Sequence, residues 1–98
     1  MIYLKKISKK EIQYGYISTR KGKIRNLLPN IGMPIVVNDL DDREHHLNMH
    51  KSQPGRIDGL THLYKDFQVQ EGDYIGVEML AENVIKVSFY KLTLRRRK

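Results

Sequence analysis

Apolar positions along the chain fall into short runs with a period of two, broken by two stretches with helical spacing. Ile2 to Ile7 predicts a strand with Ile2 and Leu4 on one face, and the polar Ser8-Lys9-Lys10-Glu11 interrupts it. Tyr14 to Ser18 is aromatic and β-branched, which favours a second strand. Thr19 is placed to cap a helix over Lys21–Leu28 with Ile24, Leu27 and Leu28 on one face, ended by Pro29. Ile35–Val37 predicts a short strand, and the Asp-rich stretch Asn38–Arg43 a turn. Residues 44–50 alternate, His45, Leu47 and Met49 facing one way and Glu44, His46, Asn48 and His50 the other. After a loop at Ser52–Gly55, Leu60, Leu63, Tyr64 and Phe67 follow helical spacing, with Asp58 or Thr61 as cap. Tyr74–Leu80 turns Ile75, Val77 and Met79 inward. After a turn at Glu82-Asn83, the last strand does the same with Ile85, Val87 and Phe89. Many short strands with two helices predict a mostly antiparallel barrel or α+β domain.

Two of these stretches are copies of one unit, forty positions apart. Residues 24–39 and 64–79 each read as helix, glycine, then strand, with Gly32/Gly72, Ile35/Ile75 and Val37/Val77 in register. Arg25/Lys65, Asn26/Asp66 and Leu27/Phe67 are similar pairs. The repeat predicts pseudo-twofold halves. The length and the lack of a linker or low-complexity tract predict a single domain over residues 1–91, followed by a basic tail at 92–98.

Charge changes the picture more than composition does. The 98-residue chain has a net charge of +7 and a pI near 9.7, which predicts an acidic partner. Residues 1–25 carry eight Lys/Arg against the single acid Glu11, so the cations concentrate at one end. There is no cysteine, which excludes disulfides and thiolate chemistry and fits an intracellular, cytoplasmic protein. No apolar run approaches a membrane span, and the first residues lack a signal-peptide core, so no membrane partner is expected.

Candidate chemistry points away from catalysis. His45 and His46 are adjacent on a strand and so face opposite sides. His46 and His50 share a face without a third ligand, so no metal is expected. Asp73 precedes Glu78-Met79-Leu80, where a nuclease motif would need a lysine. Nucleophile elbows and phosphate loops are absent, and the Asp39–Asp42 run lacks the glycine and Glu of a Ca²⁺ loop. No cofactor and no catalytic residue is assigned. Lys5, Lys6, Lys9 and Lys10 suit either strand-edge protection or an anion. Arg20, Lys21 and Lys23 oppose the dipole of the helix they precede, which points to an external anion.

The ordered series resembles the DNA-binding pseudobarrel family: strand, polar arm, Tyr-Ile-Ser-Thr, Leu-Leu-Pro, Gly-x-x-Ile-x-Val, Asp turn, and alternating strand. The helix Asp58-Gly-Leu-Thr-His-Leu-Tyr-Lys-Asp-Phe67 and the Glu71-Gly-Asp73 strand opening complete it. That family includes plant B3 DNA-binding domains and the recognition domains of some bacterial restriction endonucleases. The likeness spans roughly residues 2–91, and the absence of tryptophan, usual in the plant domains, favours a microbial or phage member. It implies a seven-stranded open pseudobarrel, mostly β with two short helices, that grips the major groove of double-stranded DNA with two arms. The implied N-terminal arm is Ser8, Lys9, Lys10, Glu11, Ile12, Gln13 and Tyr14. The implied C-terminal arm is His50, Lys51, Ser52, Gln53 and Arg56. Arg20, Lys21 and Lys23 join them as phosphate contacts. Lysine and arginine suit phosphates or guanine, and glutamine suits adenine. Gly15 and Gly55 at the arm bases let the backbone bend.

Both halves lie in one chain, which predicts a monomer and sets it apart from swapped-hairpin regulator or antitoxin dimers. A phage-type inhibitor that docks on an acidic protein is the other alternative. A fused or associated nuclease domain is a further expected partner.

Overall fold

Strand alternation becomes one curled sheet. A computed structural model of the chain describes residues 2–91, and the basic tail expected at 92–98 lies outside them. Seven strands among the described residues are β1 (Ile2–Lys6), β2 (Tyr16–Ser18), β3 (Pro34–Asn38), β4 (Glu44–Met49), β5 (Arg56–Asp58), β6 (Tyr74–Ala81) and β7 (Val84–Tyr90). Two helices accompany them, α1 (Lys9–Tyr14) and α2 (Thr61–Asp66). The sheet order is β1-β6-β7-β3-β4-β5-β2, antiparallel throughout except for the parallel pair β3–β7. The architecture is the mostly-β, seven-stranded open pseudobarrel with two short helices.

The repeat reappears as strand pairing. β2 pairs with β5 so that Ile17 faces Ile57, its counterpart forty positions on, which puts the pseudo-twofold axis beside that pair. β1–β6 and β4–β3 are equivalent antiparallel pairs under the same operation, and β7 fills the space between β6 and β3. The two repeat glycines play matching parts. Gly72 N–H donates to the Ile7 carbonyl and Gly32 N–H to the His50 carbonyl, each at the root of one expected arm. The symmetry fails at one seam. β4 is paired to β5, but the equivalent strands β1 and β2 are not paired, because α1 is inserted between them.

The inward faces form one core rich in isoleucine: Ile7, Ile17, Ile24, Ile35, Ile57, Ile75 and Ile85 are all buried, together with Leu60 before α2 and Leu63 within it. Tyr64 is buried too, and its hydroxyl donates to the Tyr16 carbonyl at 2.7 Å. Burial pushes its ionisation far above the ordinary tyrosine range, and the nearby Glu11 carboxylate adds to the shift.

Three local expectations are corrected. The polar interruption after β1 is helix α1. Ser8 Oγ accepts the Glu11 N–H and Glu11 Oε1 accepts the Ser8 N–H, a reciprocal capping box. Gly15, with φ 70°, ends the helix, so Tyr14 belongs to α1 and not to β2. The helix expected over Lys21–Leu28 is a five-residue 3-10 turn at Lys23–Leu27, entered from Gly22 without a side-chain cap. Thr19 is drawn elsewhere, donating its hydroxyl to the Gly55 carbonyl. Neither Asp58 nor Thr61 caps α2, whose N-cap is Leu60, held by its N–H to the Gly15 carbonyl. On β1, Ile2 and Leu4 share a face as expected, but it is the exposed one.

Candidate nucleic-acid interface

The first element of the site is the seam between β1 and β2. Glu11, on the inner face of α1, is 1% exposed although charged. Its Oε1 accepts the Ser8 N–H at 2.9 Å and the Ser8 hydroxyl at 3.0 Å. Its Oε2 accepts the Ser18 N–H at 2.9 Å and pairs with Lys5 Nζ at 2.8 Å. Lys5 Nζ also donates to the Ser18 carbonyl at 3.0 Å, so one ion pair joins the two edge strands. A buried charge persists only when its hydrogen-bonding capacity is filled in this way. Glu11, expected as part of the arm surface, is therefore a structural anchor beneath it.

The second element is the loop from His50 to Gly55. His50 Nδ1 accepts the N–H groups of Ser52 and Gln53 at 3.0 and 3.1 Å, which puts the neutral ring's proton on Nε2, pointing away from those N–H groups. The Gly55 carbonyl accepts both the N–H and the hydroxyl of Thr19 at 2.8 Å, tying the loop to the first half of the chain. Gly55 has φ 79°, and a Cβ there would stand 3.0 Å from Thr19 Oγ1, so glycine fixes this junction more than it loosens it. Arg56 is held on three sides. Its guanidinium lies 3.8 Å from the centre of the Tyr16 ring, its Nε donates to Asp58 Oδ1 at 2.9 Å, and one terminal nitrogen donates to Gln53 Oε1 at 3.3 Å.

Between the two elements lies an open groove of about 520 Å³. Ser8, Arg20 and Lys21 from the first half meet Ser52 and Gln53 from the second around it, over a floor of Lys5 and Glu11. Five sequence-predicted residues thus converge. Lys9 and Gln13 do not: with Ile12 they flank a separate shallow groove against Val69, Gln70 and Glu71 on the other side of α1. Lys10, Tyr14, Lys23 and Lys51 are exposed outside the groove, and His50 and Arg56 stand next to its lining, bonded to Ser52 and Gln53. Tyr3, Tyr16, Ser18 and Pro54 line the groove without having been singled out from sequence, and Lys5, weighed there as an anion contact, lines it too. Their signal is alternation about buried residues, Tyr16 and Ser18 flanking Ile17 on β2. The 3-10 turn is too short to carry a strong dipole, so the anion inference for Arg20, Lys21 and Lys23 now rests on their exposure and position.

Among the described residues no group of three or more His, Asp or Glu side chains is arranged to hold a metal ion. No helix among them is long and apolar enough to cross a membrane.

No known protein family and no curated protein matches the sequence. Solved structures do match the fold. The Arabidopsis FUS3–DNA complex is 19% identical over 91% of this chain and 95% of that one, with a TM-score of 0.71. The N-terminal domain of Helicobacter pylori LlaJI.R1 is 13% identical over 93% and 81%, also at 0.71. A hypothetical Arabidopsis thaliana protein is 14% identical over 92% and 89%, at 0.72. Seven strands in this order, two short helices and these likenesses together assign the chain the B3-like pseudobarrel fold.

Proposed function

We propose that this protein binds double-stranded DNA sequence-specifically, with α1 and the Ser52–Gly55 loop entering the major groove. The observation that carries this reading is the convergence of Ser8, Arg20 and Lys21 with Ser52 and Gln53 around one groove, from segments more than thirty residues apart. That a protein of the same fold is seen in complex with DNA supports it. Arg20 and Lys21 on the rim suit phosphate oxygens, and Ser52 and Gln53 suit base edges. Arg56 is pre-organised by Tyr16 and Asp58, leaving N–H groups of its fork for the O6 and N7 of a guanine. With both halves in one chain, the protein acts as a monomer inside the cell. It serves as a stand-alone microbial or phage DNA-binding protein or as the recognition domain of a restriction endonuclease.

Selection from a random duplex library tests this. An enriched motif containing a guanine is expected, and recovery of nothing above non-specific background overturns sequence-specific recognition. Arg56→Lys should lose about 1–3 kcal/mol of discrimination at one guanine, because an ammonium cannot reproduce the planar fork. Competition binding against duplexes altered at that position measures it.

A further inference from the structure

The groove of this strongly basic protein has an acid in its floor. Glu11 is saturated by four donors, and the one charged donor among them is Lys5. The Lys5 side chain remains 23% exposed and lines the groove, so its ammonium stands where an approaching phosphate could reach it. It differs from the rim cations in one respect. Arg20 and Lys21 are exposed and form no ion pair among the described residues, whereas Lys5 is held at 2.8 Å by a buried carboxylate.

We propose that Glu11 is a specificity-determining positioning residue: by holding Lys5 it withholds one cation from the DNA backbone, so that the groove selects base contacts over phosphate attraction. The inference rests on the DNA-binding reading above. Non-specific binding to DNA is almost entirely electrostatic, and each phosphate neutralised by a cation steepens the dependence of log K on log salt by about 0.9. A cation on the groove floor would strengthen binding to every sequence alike. Pairing it with Glu11 removes that uniform gain, leaves base contacts untouched and raises the ratio of specific to non-specific affinity. The same carboxylate orients the first wall of the groove, since it also holds the N-terminus of α1 and the N–H of Ser18.

Salt titrations of binding to a selected and a scrambled duplex test the proposal. Glu11→Gln keeps the size of the side chain but releases Lys5. Its salt dependence on scrambled duplex should be steeper than wild type by about 0.9, with the specificity ratio reduced several-fold. Lys5→Gln should leave the wild-type salt dependence unchanged, and the Lys5→Gln, Glu11→Gln double variant should restore it. A purely structural role for Glu11 gives the same salt dependence in all folded variants and overturns the inference. So does a shallower dependence in Lys5→Gln, which would mean that Lys5 already touches phosphate. If circular dichroism shows Glu11→Gln unfolded, Glu11→Met, which fills a similar volume without a charge, takes its place with the same expected steepening and the same overturning result. A wild-type chain that binds no duplex at any salt overturns the DNA reading and this inference with it. Salt-dependent wild-type binding with an unshifted Glu11→Gln overturns the inference only.

Discussion

Asp39 illustrates how a single residue can be both a turn former and an acid sensor. It is fully buried at the start of the β3–β4 turn, where Oδ1 accepts the N–H groups of Asp41 and Arg43 at 2.8 and 3.1 Å. Oδ2 lies 2.8 Å from Nε2 of His45, whose other ring nitrogen is 2.8 Å from Nε2 of His62 on α2. Burial alone pushes the carboxyl upward. The His45 hydrogen bond, the two backbone N–H groups and the Arg43 charge outweigh it and hold the group at about 2, against an ordinary value of 3.8. A folded value below the unfolded one means that Asp39 stabilises the fold fully above about pH 3.8, and that this contribution is lost as pH falls towards 2. Asp39→Asn should therefore be less stable at neutral pH and show a flatter loss of stability between pH 4 and 2. Urea denaturation across that range checks it, and parallel profiles for the two proteins would refute the assignment. The histidines at 45 and 46 prompted a metal question in the sequence. The structure gives His45 a different task, bracing a turn against α2.

At the scale of elements, α1 is the most informative departure from the sequence reading. Its signals were present: Ser8 and Glu11 stand at capping-box spacing, and Gly15 stands where a left-handed C-cap belongs. Six residues are too few for a helical period to show, with Ile12 the one apolar side chain before Tyr14, so the stretch reads as a polar loop. Ser8→Ala should destabilise the protein by about 0.5–2 kcal/mol through loss of the cap, measurable by thermal or urea melts. The opposite error occurred at Lys21–Leu28. Ile24, Leu27 and Leu28 do carry helical spacing, but the stretch starts at Gly22 without a side-chain cap, ends at Pro29 and folds as a 3-10 turn. Leu27 is exposed while Ile24 and Leu28 are buried.

Over the whole molecule, charge and symmetry work on different parts. Cations line the arms and the groove rim, whereas Asp41, Asp42 and Glu44 cluster about the β3–β4 turn, at the opposite end of β4 from the His50–Gly55 loop. A duplex bound at the rim should be held partly by phosphate contacts. Arg20→Ala and Lys21→Ala should each make the salt dependence of binding shallower by about 0.9, additively, because each is exposed and unpaired among the described residues. Fluorescence-anisotropy titrations at several salt concentrations measure this, and an unchanged dependence in both variants would remove them from the interface. The pseudo-twofold scaffold predicts a different kind of result. Ile57→Ala, beside the axis and paired to Ile17, should cost about 2–5 kcal/mol of stability by opening a cavity where both halves meet.

The family resemblance supplied the two segments that could become arms; read alone, the sequence determined most of the strands and the duplicated halves. Each of these follows from local patterning: alternation sets which side of a strand is buried, and a forty-residue repeat of Gly, Ile and Val reports a repeated unit. It did not determine which arm residues share a groove. Lys9 and Gln13 sit in the same arm as Ser8 yet turn to the far side of α1, and Arg20 and Lys21 reach the groove only because the Thr19–Gly55 contact folds that loop across. Glu11 shows the limit most clearly. In the sequence it is one acid among lysines, and only the meeting of β1, α1 and β2 turns it into a buried anchor. Burial and charge pairing depend on contacts between distant segments, and those are decided by how the sheet curls and where its symmetry breaks.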